Sequence, residues 1–455
     1  MKQLIVIAAL VITGFNTQSQ VNLLRYNDDF EYLLKDSVSR KGTEYLKFMK
    51  LYRRSTISIG GELREQFQYY HNINFGDVPP AFSKSTTWQL WQRQMIHAHI
   101  RVSETFRVFM QLGSTHRFIN PNPLTPEIDQ NDLSLHQAFI DYKHKNNLLL
   151  RTGRQELSYG SHRLITFREG PNTRLTFDGV LLKYMSGKRK IELLAISPVI
   201  SQKGVFDDQT FKDWITGVYI SETFIPKWLN ADYYAMNYYS KRRKYNFIAG
   251  KENRQIAGIR IFSDKPVLNY ELEASFQFGK FNNLHINAYG IALDLHHKLL
   301  PRKNMLVGIA GNYITGDRNK DDGQLNTYNL LFSKPQYGLA APIGATNMIT
   351  ANPYLKFNPN RSINIYTGVN FMWRQSNQDG IYSPGAIQMR PGPEFLLQSG
   401  KKQVGTLWVL ETSFLLNKYV SFAVDASYFV AGNYVKETGK GKDLTYASFK
   451  ADYRF

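Results

Sequence analysis

Stretches of alternating apolar and polar residues recur from Ile57 to the C-terminus, and they constrain the fold more than any other feature. From Leu268 to Phe278, leucine, tyrosine, alanine and phenylalanine alternate with asparagine, glutamate, serine and glutamine. The stretch from Val420 to Val430 repeats the pattern. A period of two residues is that of a β-strand with two different faces. The chain is therefore predicted to be all-β, with turns at its Gly, Pro, Asn and Asp clusters.

The N-terminus has the layout of a secretory signal peptide. Lys2 precedes an apolar run from Leu4 to Ile12, and polar and small residues follow as far as Ser19. We predict a signal peptide over residues 1–19, with cleavage near Ser19. The apolar run is shorter than the ~20 residues of a membrane-spanning helix. No other long apolar run follows, so the exported chain is either soluble or a membrane β-barrel.

The last stretch favours the membrane barrel. From Thr445 to Phe455, alanine and aromatic residues alternate with polar ones, and the chain ends on an aromatic residue of the apolar face. This resembles the C-terminal strand of bacterial outer-membrane barrels, which the barrel assembly machinery recognises. The alternating stretches also approach the ~10 residues of a tilted spanning strand. We predict a transmembrane antiparallel β-barrel over residues 56–455, surrounded by lipid in the outer membrane of a Gram-negative cell.

The number of strands follows from a parity rule. Single-chain bacterial barrels have even strand numbers, whereas the alternating stretches number one more than an even total. We predict about 18 strands, with one short stretch lying in a loop. The weakest candidates are 190–196 and 325–333. The long connections carry proline, glycine and charge, which predicts extracellular loops or loops folded into the pore. They span residues 114–134, 200–213, 316–324 and 375–403.

Residues 20–55 do not alternate. Leucine and other apolar residues recur there at helix-like spacing among many charges. We predict a periplasmic lead segment with one or two short helices, docked at or below the barrel mouth. A loosely ordered leader is the alternative.

The composition is strongly basic, with 56 Lys and Arg against 37 Asp and Glu and a formal net charge of +19. This excess favours an anionic partner, and nucleic acid is not expected for an exported chain.

The chain has no cysteine, which excludes disulfides, thiolate metal sites and cysteine nucleophiles. The acidic stretch from Asp317 to Gly323 has its glycine one position too late for a calcium loop. Neither a metal nor a cofactor is predicted.

Arginines on polar faces are the candidate site residues. On the stretch from Trp88 to Val102, Arg93 and Arg101 share one face with two histidines. An arginine facing lipid at mid-membrane costs about 2–4 kcal/mol, so this face is predicted to line the lumen. Guanidinium binds a carboxylate at two points and stays charged. We predict anion-binding lumen residues at Arg64, Arg93, Arg101, Arg151, Arg154, Arg163, Arg168 and Arg174.

Two readings of these arginines stay open. As a solute pathway, they would be tuned by the acidic residues Glu62, Glu156 and Asp178. As a structural ladder, each arginine would pair with an acidic residue across the inner wall and hold the shape of the barrel.

One block, from Leu148 to Leu182, resembles the alginate-export family of outer-membrane porins. In that family a strand ending Gly-Arg-Gln is followed by a polar loop and then by a strand entered through Phe-Asp. The segment from Gly60 to Tyr70 is similar to the family's first strand, and the leader LLRYNDDFEYLLKD is similar to that of Bacteroidetes-type members. The residues that match in the block are Gly153, Arg154, Gln155, Glu156, Tyr159, Gly160, Arg163, Asn172, Phe177 and Asp178.

The resemblance implies a monomeric porin whose pore arginines attract uronate carboxylates, with acidic residues adjusting the path. We predict an anion-selective channel for an acidic polysaccharide or oligosaccharide such as alginate. A small-anion or general porin with infolded loops is the alternative within that class. A barrel enzyme or adhesin with a plugged lumen is the alternative from another class, but no nucleophile motif surrounds the serines and histidines, so no catalytic residue is predicted.

Overall fold

The chain forms a closed antiparallel β-barrel of eighteen strands in the computed structural model. The predicted signal peptide, residues 1–19, lies outside the described residues. Among the residues described, no helix is both long and apolar enough to cross a membrane. The structure describes residues 22–28, 30–34, 39–52, 55–78, 85–118, 129–145, 147–245, 248–265, 268–300, 304–319, 321–390 and 399–455.

Each strand of the barrel pairs with the next one along the chain. The strands are β1 Thr56–His71, β2 Thr87–Arg101, β3 Phe106–Phe118, β4 Asn131–His144, β5 Leu148–Gln155, β6 Phe177–Ser186, β7 Arg189–Pro198, β8 Asp213–Ile225, β9 Leu229–Tyr245, β10 Ile248–Phe262, β11 Leu268–Phe281, β12 Leu284–Leu300, β13 Met305–Ile314, β14 Met348–Asn360, β15 Ile363–Arg374, β16 Gln403–Leu415, β17 Val420–Ala431 and β18 Leu444–Arg454.

The first and last strands close the barrel. β1 pairs with β18 from Glu62 opposite Arg454 to His71 opposite Thr445. The final residue extends this ladder, because the Phe455 amide donates to the Gly61 carbonyl at 3.1 Å and the Gly61 amide donates back at 3.0 Å. The C-terminal stretch singled out by its alternation is therefore the closing strand.

The connections differ between the two ends of the barrel. At the end where β1 begins, here called the turn end, connections such as the two residues between β6 and β7 are short. At the opposite end, here called the loop end, most connections are long. The β5–β6, β7–β8, β13–β14 and β15–β16 loops span residues 156–176, 199–212, 315–347 and 375–402.

The strand prediction is confirmed in number, and the structure decides between its two weakest stretches. The stretch 190–196 lies within β7, whereas 325–333 belongs to the β13–β14 loop. That stretch packs inside the barrel, where Phe332 forms a β-bridge with Ile165 of the β5–β6 loop. The predicted loop at 316–324 is therefore only the beginning of a longer loop.

The alternating faces separate as predicted. On β11, Phe276 and Phe278 are exposed on the outside, while Gln277 between them is fully buried. On β2, Ile96 is exposed and Arg93 and His97 are buried. An apolar outer band around a polar interior is the pattern of a membrane barrel.

Inward-folding segments fill much of the lumen. Leu164 and Ile165 of the β5–β6 loop share a buried cluster with Leu330 and Leu331 of the β13–β14 loop. The lead segment forms short 3-10 helices, at Arg25–Asn27, Glu31–Leu34 and Gly42–Leu46. Its Tyr26 packs against Phe109 and Phe139 of the inner wall. The described part of the lead segment thus has three short helices where one or two were predicted, and part of it lies inside the barrel.

Candidate solute pathway

A network of paired charges joins the wall near β1 to the β5–β6 loop. Its centre is Glu169, a loop residue that contacts several wall arginines at once. Arg93 donates to Glu169 at 2.9 Å, and Arg64 and Arg174 also bind this carboxylate. The members of this Glu169 network are Arg64, Arg93, Arg174, Arg454, Glu62, Glu156, Glu169 and Asp452.

The Glu169 network is electrically balanced, since its four arginines face four carboxylates. Glu62, buried on β1, accepts from Arg93 at 2.8 Å and from Arg454 at 2.9 Å. Burial would raise the pKa of Glu169, but Arg174, Arg64 and Arg93 outweigh this effect and hold that pKa well below its usual range. The carboxylate therefore stays charged and ties the loop to the wall.

Arg151 is held by an acid and by aromatic rings. It donates to Asp141 of the neighbouring strand at 2.7 and 3.0 Å. Its guanidinium also lies 3.9 Å from the ring centroid of Phe139 and 4.2 Å from that of Tyr26. Aromatic faces attract a cation, most strongly where water is excluded. Arg151 thereby links the lead segment to the wall.

Arg154 forms a bidentate pair with Asp178, at 2.7 and 2.8 Å, across β5 and β6. Two glycines beside this pair let β5 and β6 approach their outer neighbours, β4 and β7, closely. Gly153 and Gly179 lie opposite each other with φ of 123° and 152°. A Cβ would lie 2.2 Å from the Ala138 carbonyl oxygen at Gly153 and 2.1 Å from that of Ala195 at Gly179. The Gly-Arg-Gln and Phe-Asp-Gly sequences thus encode a close approach of four strands, β4 to β7.

The remaining predicted arginines occupy different surroundings. Arg163 donates to Asn312 at 2.7 Å. Arg168 donates to the Ser333 carbonyl at 2.9 Å, so it joins two loops, and its burial lowers its pKa to about 10. Arg101 lies at the turn end, partly exposed, 3.1 Å from Glu31. The eight arginines therefore do not converge on one surface.

The three predicted acidic residues also have partners. Glu62 belongs to the Glu169 network and Asp178 pairs with Arg154. Glu156, fully buried, lies 2.8 Å from His136 and 3.5 Å from Arg174. These positions fit the structural-ladder reading, and a pathway role for the residues stays a prediction.

A large cavity occupies the other side of the lumen. Its volume is ≈ 1000 Å³, its wall is formed by β10 to β18, and its roof by parts of the β5–β6 and β13–β14 loops. Leu23 of the lead segment also reaches it. Among the described residues that line it, Arg163 is the one member of the predicted eight. The other charged lining residues are Arg260, Lys334, Lys356, Lys450, Glu169, Glu271, Asp294, Glu411 and Asp425.

Three lysines distinguish this cavity from the arginine clusters. Arg260 pairs with Asp232 at 2.8 Å and with Glu271 at 2.6 Å. By contrast, none of Lys334, Lys356 and Lys450 lies within 4.0 Å of a carboxylate oxygen in the part of the chain that the structure describes. Lys334 and Lys356 are exposed to the cavity.

Neutral and acidic polar groups complete the lining beside the lysines. The rings of Tyr354 and Tyr366 lie 5.6 Å apart, and Asn352 donates to the Tyr366 hydroxyl at 3.1 Å. Glu411 and Asp425 lie directly opposite each other on β16 and β17. Hydroxyls, amides and carboxylates of this kind match the hydrogen-bonding groups of a sugar.

Sequence reasoning missed the three lysines as a group. Lys450 does lie on the polar face of the predicted last strand, and alternation places Lys356 with the inward residues of β14. No local pattern marks Lys334, because the direction of a loop side chain depends on how the loop folds. Among the described residues, no group of three or more histidine and acidic side chains could hold a metal ion.

Comparison with known sequences gives one family match. The sequence profile described as Alginate export matches residues 55–448. Comparison with curated proteins gives no match.

Several solved structures have a similar fold. The outer membrane protein OpdK from Pseudomonas aeruginosa is 8% identical, with a TM-score of 0.60 over 88% of this chain and 98% of that one. OpdO from the same organism is 13% identical, with a TM-score of 0.58 over 88% and 97%. A BenF-like porin from Pseudomonas fluorescens Pf-5 is 8% identical, with a TM-score of 0.59 over 88% and 98%. At these identities the likeness shows the fold alone.

Proposed function

The chain belongs to the alginate export family, and we propose that this outer-membrane channel passes anionic solutes, with acidic oligosaccharides or polysaccharides as the substrate class. It is a multi-pass β-barrel of the cell outer membrane. Bacterial barrels keep their short turns in the periplasm, so the cavity with its lysines lies toward the periplasmic side of the infolded loops.

The cavity lysines, which have no carboxylate partner among the described residues, are the observation that carries the proposal. Charges that are already paired attract a passing solute weakly, because a neighbouring carboxylate cancels their field. Lys334, Lys356 and Lys450 project charge into a confined space, where low-dielectric walls concentrate the field. They would raise the local concentration of an anion and favour its entry over that of a cation.

The acidic and neutral lining residues support transport instead of tight capture. A conducting site must bind strongly enough to admit the solute and weakly enough to release it. Glu411 and Asp425 lie on the same wall as Lys450 and would weaken each contact with an anion. Tyrosine and asparagine groups would exchange hydrogen bonds with sugar hydroxyls as the solute moves.

The cavity volume favours a short or extended solute. A volume of ≈ 1000 Å³ is at the upper end of small-molecule pockets, which hold roughly 300–1,000 Å³. A single extended sugar chain would therefore pass one portion at a time. A pathway role for the predicted arginines is part of the proposal only for Arg163, which lines this cavity.

A small-anion channel is the second candidate, favoured by the infolded loops that narrow the lumen. One of the solved structures with a similar fold is OpdK with vanillate. Vanillate carries a single carboxylate, so the same lysines would serve a small aromatic acid here.

Planar-bilayer recording would test the proposal. In a salt gradient, we expect a reversal potential that shows anion selectivity. Polymannuronate and short oligomannuronates should then block the current, whereas neutral dextran of matched length should not. Block by vanillate alone would favour the second candidate, and cation selectivity would contradict both.

A further inference from the structure

The barrel wall has a gap at the loop end, between β4 and β8. β5 pairs with β4 only from Ala138 opposite Arg154 to His144 opposite Leu148. Residues 131–137 of β4, at the loop end, therefore have no partner in β5. The chain leaves the wall after Gln155 because the β5–β6 loop folds into the lumen. β6 begins and β7 ends level with this point, where Phe177 lies opposite Pro198. A free strand edge inside a membrane would expose unpaired backbone groups.

The β7–β8 loop fills this gap and continues the wall. The amide of Asp132 donates to the Lys203 carbonyl at 2.9 Å, and the amide of Phe206 donates to the Leu133 carbonyl at 2.8 Å. Val205 forms a parallel bridge with Leu133. On the lumen side, the Asp208 carboxylate accepts from Asn131 at 2.8 Å.

The outer surface of this loop is apolar. Val205, Phe206 and Phe211 are 60%, 59% and 55% exposed. The Phe211 ring stacks on Trp214 of β8 at 5.3 Å, and Trp214 belongs to the outer face of the barrel. The apolar loop surface is therefore continuous with the lipid-facing wall.

Two lysines flank this apolar surface. Lys203 and Lys212 are both exposed. Of the nearby acids, Asp208 is directed to Asn131 and Arg154, and Asp207 accepts from the Gly204 amide at 3.0 Å. The surface thus combines exposed aromatic rings with positive charge, the pattern that binds an anionic membrane interface.

We propose that the β7–β8 loop is a lipid-binding surface that takes a phosphate-bearing anionic lipid of the outer leaflet. Its acyl chains pack on Val205, Phe206 and Phe211, and its phosphate lies between Lys203 and Lys212. This inference is independent of the transported solute, because the loop's outer surface faces away from the lumen.

The chain has no cysteine, so single cysteines can report on lipid contact. An NBD fluorophore would be attached to Phe206→Cys in phosphatidylcholine vesicles that contain doxyl-labelled phosphatidylcholine. We expect quenching close to that of a label at Phe276→Cys on the lipid-facing wall. A label at Ile387→Cys, 72% exposed in the β15–β16 loop, should not be quenched. Val205→Cys provides a second position, and heat-modified gel mobility verifies folding of each variant.

Headgroup preference is tested with the same probe. Doxyl-labelled phosphatidylglycerol should quench the Phe206→Cys label several-fold more than doxyl-labelled phosphatidylcholine. Replacing both lysines, Lys203→Gln and Lys212→Gln, should abolish this preference, whereas Lys188→Gln at the turn end should leave it unchanged. Equal quenching by the two lipids in the unmodified loop would overturn the anionic-lipid assignment. Labels at 205 and 206 that behave like the one at 387, or crosslinking of Phe206→Cys between two copies, would overturn lipid binding.

Discussion

At the scale of single residues, arginine and lysine have separate tasks in this barrel. The guanidinium groups of Arg64, Arg93 and Arg174 are shared among carboxylates, which suits their planar set of donors. The lysines of the cavity have no such partner among the described residues. Structural pairing and solute attraction are therefore assigned to different side chains.

Neutralising the cavity lysines should reduce anion selectivity. In the double variant Lys356→Gln, Lys450→Gln, we expect the reversal potential in a salt gradient to move toward zero, because two charges leave the lining. Lys241→Gln, exposed at the loop end of β9, is the matched control and should keep the original potential. An unchanged potential in the double variant would show that these lysines do not select the solute.

Removing the centre of the Glu169 network should destabilise the barrel. Glu169→Gln leaves several buried arginines without their shared counterion. Breaking a fully buried pair costs about 3–5 kcal/mol, and the cost is smaller here because the Glu169 side chain is 25% exposed. Glu222→Gln removes the partner of Arg189 at an exposed site and should have little effect. Urea titration in detergent, followed by tryptophan fluorescence, measures both. Equal stability of the two variants would contradict a central role for Glu169.

The lowered pKa of Glu169 also determines the direction of a pH effect. Its carboxylate is more acidic in the folded than in the unfolded protein, so its stabilising contribution is complete above the ordinary pKa of a glutamate. That contribution disappears as the pH falls through the lower folded value. Glu169→Gln should therefore show a weaker acid destabilisation than the original protein.

At the scale of elements, the β5–β6 loop is fixed in the lumen by side chains at its end as well as at its centre. The Asn172 side chain donates to the carbonyls of Asp129, His116 and Gln92 at 3.0, 3.1 and 3.2 Å. The Asn172 amide donates to the Asp129 carboxylate at 3.1 Å. One asparagine thereby holds the loop against two wall strands and the segment before β4.

Asp129 should make this anchor sensitive to pH. Burial raises its pKa from 3.8 to about 7, despite the Asn172 amide and Arg117. Because the folded pKa is the higher one, the contribution of Asp129 to stability is greatest at low pH and decreases as the pH rises from 3.8 to about 7. Asp129→Asn should flatten the melting temperature over that range, measured by heat-modified gel mobility. Parallel profiles for the two proteins would contradict the prediction.

At the scale of the whole molecule, the lead segment contributes to the closure of the lumen. Arg25 donates to the Phe455 carbonyl at 2.8 Å and to that of Gly61 at 3.1 Å. The Tyr26 hydroxyl donates to the Glu156 carbonyl at 2.9 Å, where the β5–β6 loop begins. The first residues described thus connect the closing strands to the infolded loop.

Loosening the lead segment should widen the pathway. With Tyr26→Ala, we expect a higher single-channel conductance, because the ring fills space between Arg151, Phe109 and Phe139. Tyr45→Ala, in the same segment but exposed, should leave the conductance unchanged. A Tyr26→Ala channel with the original conductance would place the narrowest part of the pathway elsewhere.

The sequence by itself determined the barrel, its strand number and the inward direction of the polar faces. These features follow from local rules: a strand alternates its faces every two residues, and an apolar outer band is required in lipid. The motif glycines can also be recognised from the local sequence, since Gly153 directly precedes Arg154 and Gly179 directly follows Asp178.

Only the tertiary structure decided which charges are paired and where the cavity lies. Glu169 and Asp452 reach Arg64 from 105 and 388 residues away, and no local pattern encodes such distances. The stretch 325–333 alternates like a strand, yet it packs against another loop inside the lumen. Alternation indicates that a segment has two different faces. Which groups pack on each face is decided by segments that are distant in the sequence.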